Sequence, residues 1–246
     1  LQFMTYPDFF DDVELQGRTR ALERVARSAD WVFTPCDYVR ESVLRHSALP
    51  PDRVTAVPYS FAPHRLEAPP AEQVGSVLER YGVERHRYFV YPANFWPHKN
   101  HSMLLVAFAL FSKRHPELAI RLVLPGANRP DPQALQRNAA RMGLANHVLV
   151  PGYVPDADLA ALLAGACGLV FPSLYEGFGL PILEAYAVGC PVACSDVTSL
   201  PEVANGAALM FDPRKPEAIA TALERLATEP GLRAELSRRG HERLAA

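Results

Sequence analysis

Residues 171–196 read FPSLYEGFGLPILEAYAVGCPVACSD, and they decide the fold of most of the chain. An apolar, strand-like run, GLVFPS (168–173), leads in; the chain then turns through EGFG and opens a helix at LPILEAYA. A second strand-like run, PVACSD (191–196), follows. Pro181 suits the first helical position, where its missing N–H costs nothing. The backbone N–H groups of Phe178, Gly179 and Leu180 are then expected to be free at the positive end of a helix. They also lie at the carboxyl end of a strand, where open α/β sheets bind phosphorylated ligands. An exposed helix end contributes only about 0.3–1 kcal/mol, so several N–H bonds and a cation must act together.

Two carboxylates frame this turn. Glu176 falls in the loop and Glu184 is expected in the first turn of the helix, so one can reach the sugar end of a bound diphosphate and the other a ribose. Carboxylates accept hydrogen bonds readily from vicinal hydroxyls. A surface loop followed by a helix whose Glu184 favours the dipole is the plainer alternative. A second strand-to-helix turn, YPANFWPHKNHSMLL (91–105), sets Lys99 just ahead of a helix start. There an ammonium can neutralise a diphosphate and stabilise it as a leaving group. Taken alone, a lysine in such a place is usually just solvated; the two stretches strengthen each other because they end equivalent strands.

The same alternation runs outward from Tyr88. Strand-like runs are YFVYPA (88–93), AIRLVLPG (119–126), HVLVPGY (147–153), GLVFPS, PVACSD and AALMFD (207–212), with helical stretches such as 101–114 and 133–142 between them. Leu104, Phe108 and Phe111 share one helical face. Strands apolar throughout belong to parallel sheets covered on both faces, so the expected class is α/β, a doubly wound parallel sheet. Upstream the order reads helix 19–29, strand 31–35, helix 38–47, strand 53–59. A Pro-rich stretch, 61–73, reads as an inter-domain linker. Residues 1–60 are therefore assigned to the end of one domain, 74–230 to a second, and 231–246 to a terminal helix. Residues 1–17 carry no start-like feature, and a preceding portion is expected.

A formal net charge of −2 gives no bulk basicity, which argues against nucleic acid as a partner. No apolar stretch approaches the roughly 18 residues of a membrane span, and the acidic opening is unlike a signal peptide. Cys36, Cys167, Cys190 and Cys194 lack metal-like spacing and read as buried free thiols of a reduced, cytoplasmic protein. Peripheral contact with a membrane's inner face stays open. Asp156-Ala157-Asp158 imitates a metal-binding pair, yet LAALLAGA follows, so Asp156 is expected to cap a helix and Asp158 to sit in its first turn. His98, His101 and His115 are assigned surface roles, with His98 still able to touch a phosphate. No metal site is expected. The C-terminal arginines alternate with Glu as on a solvated face. Neither a nucleophile elbow nor a P-loop is present.

YEGFGLPILEAYAVGCPV, with its E-x7-E spacing, resembles the signature of the group 1 retaining glycosyltransferases. WPHKN, LVLPG, GYVPDADLAALLAGA and SLPEV resemble further blocks in the expected order, and LQFMTYPDFF and ADWVFTPCDYVRESV resemble the close of that family's N-terminal domain. The resemblance implies the GT-B type of fold: a Rossmann-like donor domain facing a second Rossmann-like domain, of which this chain holds the tail end. It implies transfer of a hexosyl group from a GDP- or UDP-linked sugar to a glycan or lipid-linked acceptor, with retention and no cofactor; WPHKNH is similar to enzymes that use GDP-mannose. By position, Glu176 and Lys99 are the implied catalytic residues. Glu176 would hold donor-sugar hydroxyls and Lys99 the diphosphate, Phe178–Leu180 would offer backbone N–H groups, Glu184 would bind the ribose, Tyr153 and Val154 would border the base, and Gly177 and Asn94 complete the implied donor-binding set. Asn94 stands where the family often has arginine, and Cys36 where serine is common. A non-catalytic nucleotide-sugar-binding module and a sugar-nucleotide 2-epimerase-like isomerase are the rival readings.

Overall fold

Strands without a polar face must be covered on both sides, and the computed structural model, which describes residues 1–59, 67–127 and 132–245, has that arrangement. In chain order the elements are α1 (Gln2–Thr5), α2 (Asp12–Ser28), β1 (Val32–Thr34), α3 (Asp37–His46), β2 (Val54–Ala56) and α4 (Ala71–Arg80). There follow β3 (Tyr88–Val90), α5 (His101–Arg114), β4 (Arg121–Pro125), α6 (Pro132–Arg141), β5 (Val148–Gly152), α7 (Asp156–Gly165) and β6 (Gly168–Phe171). The chain continues through α8 (Leu180–Ala187), β7 (Val192–Ser195), α9 (Leu200–Ala204), β8 (Leu209–Phe211), α10 (Pro216–Thr228) and α11 (Pro230–Ala245).

Among the described residues, β3 to β8 form one parallel sheet in the order β5-β4-β3-β6-β7-β8. Every residue of β3, β6 and β7 is buried, which is why these strands read as unbroken apolar runs. Helix α5 packs on α10, α4 on α7 and α11 on α8. Leu104, Phe108 and Phe111 are all buried, as the helical spacing predicts. At the last of these contacts Gly240 lies so close to Tyr186 that an added Cβ would sit 2.5 Å from the ring. All four cysteines are free and buried.

A smaller unit precedes this sheet. β1 and β2 pair in parallel, Val32 opposite Val54, and α3 closes a small core of Val43, Leu49 and Val54. Glu202 of α9 joins the two units: its carboxylate oxygens accept from Asp37 N at 2.8 Å and Tyr38 N at 3.0 Å, capping α3. Nearby, the Cys36 thiol donates to Gly177 O at 3.4 Å.

Several expectations need correction. Helix α2 starts at Asp12, not 19, because Asp11 caps it by accepting from Glu14 N at 2.8 Å. The expected linker lies in part (61–66) outside the described residues, and its end belongs to α4, which buries Val74, Val77 and Leu78 at helical spacing. Pro155, not Asp156, is the N-cap of α7, and it makes no side-chain cap bond. Asp158 is in the first turn, as expected, but is buried; it accepts from Arg80 Nη1 at 3.0 Å and Tyr81 Oη at 2.8 Å, tying α7 to α4. Among the described residues no helix is long and apolar enough to cross a membrane. On α11, Arg238 and Arg239 pair with Glu235 at 2.9 and 2.7 Å, in keeping with a solvated face.

Replacing Asp158 with alanine strands Tyr81 and Arg80 and should cost about 1–3 kcal/mol of stability. Asp156→Ala should cost less than about 0.5 kcal/mol. Urea denaturation of the two variants checks this; equal midpoints would refute the tether.

Candidate functional site

The sheet order puts β3 and β6 side by side at its centre, while the chain leaves β3 toward β4 and β5 and leaves β6 toward β7 and β8. The connections that leave these two strands therefore run to opposite sides, which makes this the switch point at which open α/β sheets bind ligands. One loop carries Lys99, the other Glu176.

Hydrogen bonds between the loops set their geometry. Tyr91 Oη donates to Lys99 O at 3.0 Å and lies 2.9 Å from Ser173 Oγ. Leu174 N donates to His98 O at 2.8 Å. Asn100 takes a left-handed backbone (φ 61°), which asparagine tolerates. Its Nδ2 donates to Pro172 O at 3.1 Å and Pro213 O at 2.9 Å. On this frame Lys99 Nζ donates to Glu176 Oε1 at 2.6 Å, with side chains only 18% and 13% exposed.

The turn after Glu176 is held by its carbonyls. Ser199 Oγ lies 3.0 Å from Glu176 O and 2.9 Å from Phe178 O, donating to this pair. Cys36 engages Gly177 O, and Thr198 Oγ1 accepts from Glu176 N at 3.2 Å. Three successive carbonyls are thus directed into protein. Among the described residues the N–H groups of Gly177, Phe178, Gly179 and Leu180 have no acceptor. Gly179 has φ 117°, and an added Cβ would sit 2.8 Å from Leu200 Cδ2, so only glycine makes this turn.

Leu180 is the first helical residue and Pro181 the second, one position later than expected. Glu184 consequently lies beyond the first turn, where it is buried and engaged within the protein. Asn94, Tyr153 and Val154 meet at a neighbouring cleft of about 400 Å³ beyond β3, β4 and β5, which Ala93, Gly126 and Asp156 also line. Tyr153 is 72% exposed and Val154 is buried. Gly126 is required here, since a Cβ would come 2.3 Å from Ala93 O. Asn94 Oδ1 accepts from Ala127 N at 3.1 Å, so the residue in the arginine position braces a loop.

His101 departs from its expected surface role. It is buried between Tyr91 and Phe95, with ring centroids 4.9 and 5.0 Å away. Burial, then the nearby Lys99 and His98, push its pKa down to about 3. Burial and Lys99 also lower that of His98, against a smaller upward pull from Glu176. Tyr91, Asn100, Thr198, Ser199 and Glu202 escape the sequence reading. SLPEV is recognisable only as a block, and hydroxyls that brace carbonyls carry no spacing signal.

Residues 79–243 match the family described as Glycosyl transferases group 1. The chain belongs to that family. O-antigen chain mannosyltransferase B of Escherichia coli is 34% identical over 219 residues, covering 89% of this chain and 57% of that protein. The D-inositol 3-phosphate glycosyltransferase of Streptomyces scabiei is 30% identical over 235 residues, covering 92% and 52%. The crystal structure of Anabaena Alr3699/HepE in complex with UDP and glucose aligns with a TM-score of 0.84 at 17% identity, over 97% of this chain and 64% of that one. This last likeness is one of fold. This family member spans about half the length of the two curated relatives.

The Lys99–Glu176 pair should behave as a largely buried ion pair. Either Lys99→Met or Glu176→Gln alone should destabilise by about 1–3 kcal/mol, and the double variant by less than the sum; chemical denaturation measures the cycle, and additivity would contradict the contact. His101 supplies a pH test. Between pH 6.5 and about 3 the unfolded chain binds a proton at this site that the folded chain refuses, so stability falls as pH drops through that window. His101→Gln should flatten this part of the profile, and an unchanged slope would count against the buried neutral imidazole.

Proposed function

We propose that this chain is the donor-binding part of a retaining glycosyltransferase that moves a hexosyl group, mannosyl in the first instance, from a nucleotide-diphosphate sugar to a glycan or lipid-linked acceptor. One observation carries the reading: a largely buried ammonium–carboxylate pair stands beside four backbone N–H groups that have no acceptor among the described residues, at the switch point of the sheet. A dianionic diphosphate is the ligand that such a turn accommodates, with N–H groups on its oxygens and Lys99 on its charge. Glu176 holds Lys99 ready before binding. Once the phosphate takes the ammonium, the carboxylate is released to hydroxyls of the donor sugar. Electrostatic stabilisation of the departing diphosphate is then the main catalytic contribution of these residues, without any change in their covalent state.

The Asn94–Tyr153–Val154 cleft offers space for the base along the same loop. Glu184 is the candidate for the ribose, reached through a rearrangement of its present contacts. The mannosyl assignment is supported by the E. coli relative's name, and nucleotide-sugar use by the UDP complex of the Anabaena protein. Retention rests on the family. The acceptor and a cytoplasmic site of action follow the same reading. Transfer rather than 2-epimerisation is favoured by the E-x7-E pattern.

Calorimetric titration with GDP, UDP and ADP, without metal and then with Mg²⁺, tests the proposal. The expected result is metal-independent binding of one nucleotide, weakened by about 1.5–3 kcal/mol in Lys99→Ala, roughly ten- to hundredfold in Kd. Equal affinity in a folded Lys99→Ala sample would overturn the diphosphate assignment. In the full-length enzyme Glu176→Ala should abolish transfer while circular dichroism stays native-like, and an active variant would remove Glu176 from the mechanism.

A further inference from the structure

A donor site fixes where its acceptor must come, because the attacking hydroxyl has to approach within about 3–3.5 Å of the reacting carbon. The chain segment before β1 packs beside the loop that bears Glu176. The Tyr6 ring stacks on Phe9 at 5.1 Å and meets Tyr175, next to Glu176, edge-on at 6.5 Å. Arg214 Nη2 donates to Tyr6 Oη at 2.7 Å. The segment is thereby fastened over the loop that bears Glu176.

Between it and the turn that carries Lys99 lies a cleft of about 250 Å³. One wall presents Phe9, Phe10, Glu14 and Arg18, the other Trp96 and His98. This is smaller than a drug-sized pocket and suits a single sugar ring. The indole of Trp96 is half exposed, three residues from Lys99. Arg18 lies 4.6 Å over the face of Phe10. Although Glu14 and Arg18 are one helical turn apart on α2, they form no ion pair, and among the described residues neither has another salt-bridge partner.

These features select a ligand class. Aromatic faces attract the C–H face of a pyranose, through burial and the ring quadrupole. One carboxylate and one guanidinium, neither in an ion pair, match a neutral ligand rich in vicinal donors and acceptors. Such a rim would suit neither a hydrocarbon chain nor a second phosphate. His98, whose pKa is lowered by burial and by Lys99, is a neutral imidazole at pH 7, able both to donate to and accept from hydroxyls.

We propose that this cleft is the acceptor subsite, in which Trp96 is the stacking platform for a terminal neutral sugar and Glu14 and Arg18 hold its hydroxyls. The proposal rests on the donor reading above and deepens it. Trp96 thereby links the two substrates: it belongs to the donor loop yet faces the acceptor.

Two experiments test it. In the full-length enzyme, Trp96→Ala should raise the acceptor KM at least tenfold with the donor KM unchanged, and Trp96→Phe should restore most of the loss. In this chain, which contains two tryptophans, Trp31→Phe leaves Trp96 as the sole indole. Titration with an α-linked mannotriose should then change its emission saturably, with or without GDP. An unchanged acceptor KM in a folded Trp96→Ala enzyme overturns the subsite, as does an emission that does not respond or a response abolished by GDP. Failure of the unmutated chain to bind any nucleoside diphosphate would overturn the donor reading instead, a result the mannotriose titration does not depend on.

Discussion

Holding an ammonium and a carboxylate together out of water is a poor way to gain stability, because the desolvation of both charges offsets most of their attraction. The contact between Lys99 and Glu176 at 2.6 Å is nevertheless the point on which two strand-end loops converge, and the hydrogen bonds of Tyr91, Asn100 and Leu174 serve to keep those loops in register. An arrangement that adds little to folding and needs so much bracing makes physical sense as a poised site. The lysine is held at a defined place, partly desolvated, with a partner that a stronger anion can displace.

The anion side is built by the opposite device. Where Lys99 is held by a carboxylate, the turn after Glu176 is held through its carbonyls. Ser199 and Cys36 occupy its carbonyls, and Gly179 supplies a backbone angle that no larger residue fits. Among the described residues its N–H donors are left without acceptors. Glu202 extends the same frame into the smaller unit by capping α3, so the placement of α3 and the shape of the turn are set by neighbouring residues of one short segment, 198–202.

The sheet is legible in the sequence because its strands are buried on both faces, and burial writes itself as apolar runs; so are α5, from its apolar spacing, and α11, from its helix-favouring composition. The start of α2 is not, because Asp11 lies within an acidic stretch that looks featureless, and α4 is hidden because prolines crowd its approach and make its first turn read as connector. At the site, Lys99, Glu176 and the glycines can be found from spacing and chemistry. Asn100, Ser199 and Glu202 cannot, since their roles depend on which backbone carbonyls and amides the fold brings to them. His101 differs from its expected surface role, and the burial of Asp158 carries no signal, for a related reason: a polar residue on a helix is buried or exposed according to its neighbours, here Tyr91 and Phe95 for one and Arg80 and Tyr81 for the other.

The central claim is that the open N–H groups of the turn receive a diphosphate. Amide-resolved NMR of the isotope-labelled chain, titrated with the nucleoside diphosphate that binds most tightly, addresses those atoms directly. Hydrogen bonding to phosphate should move the amide protons of Gly177 and Gly179 strongly downfield, with those of Gly82 and Gly143, at the other turns, unmoved. Saturable shifts elsewhere in the chain while Gly177 and Gly179 stay in place would contradict the account.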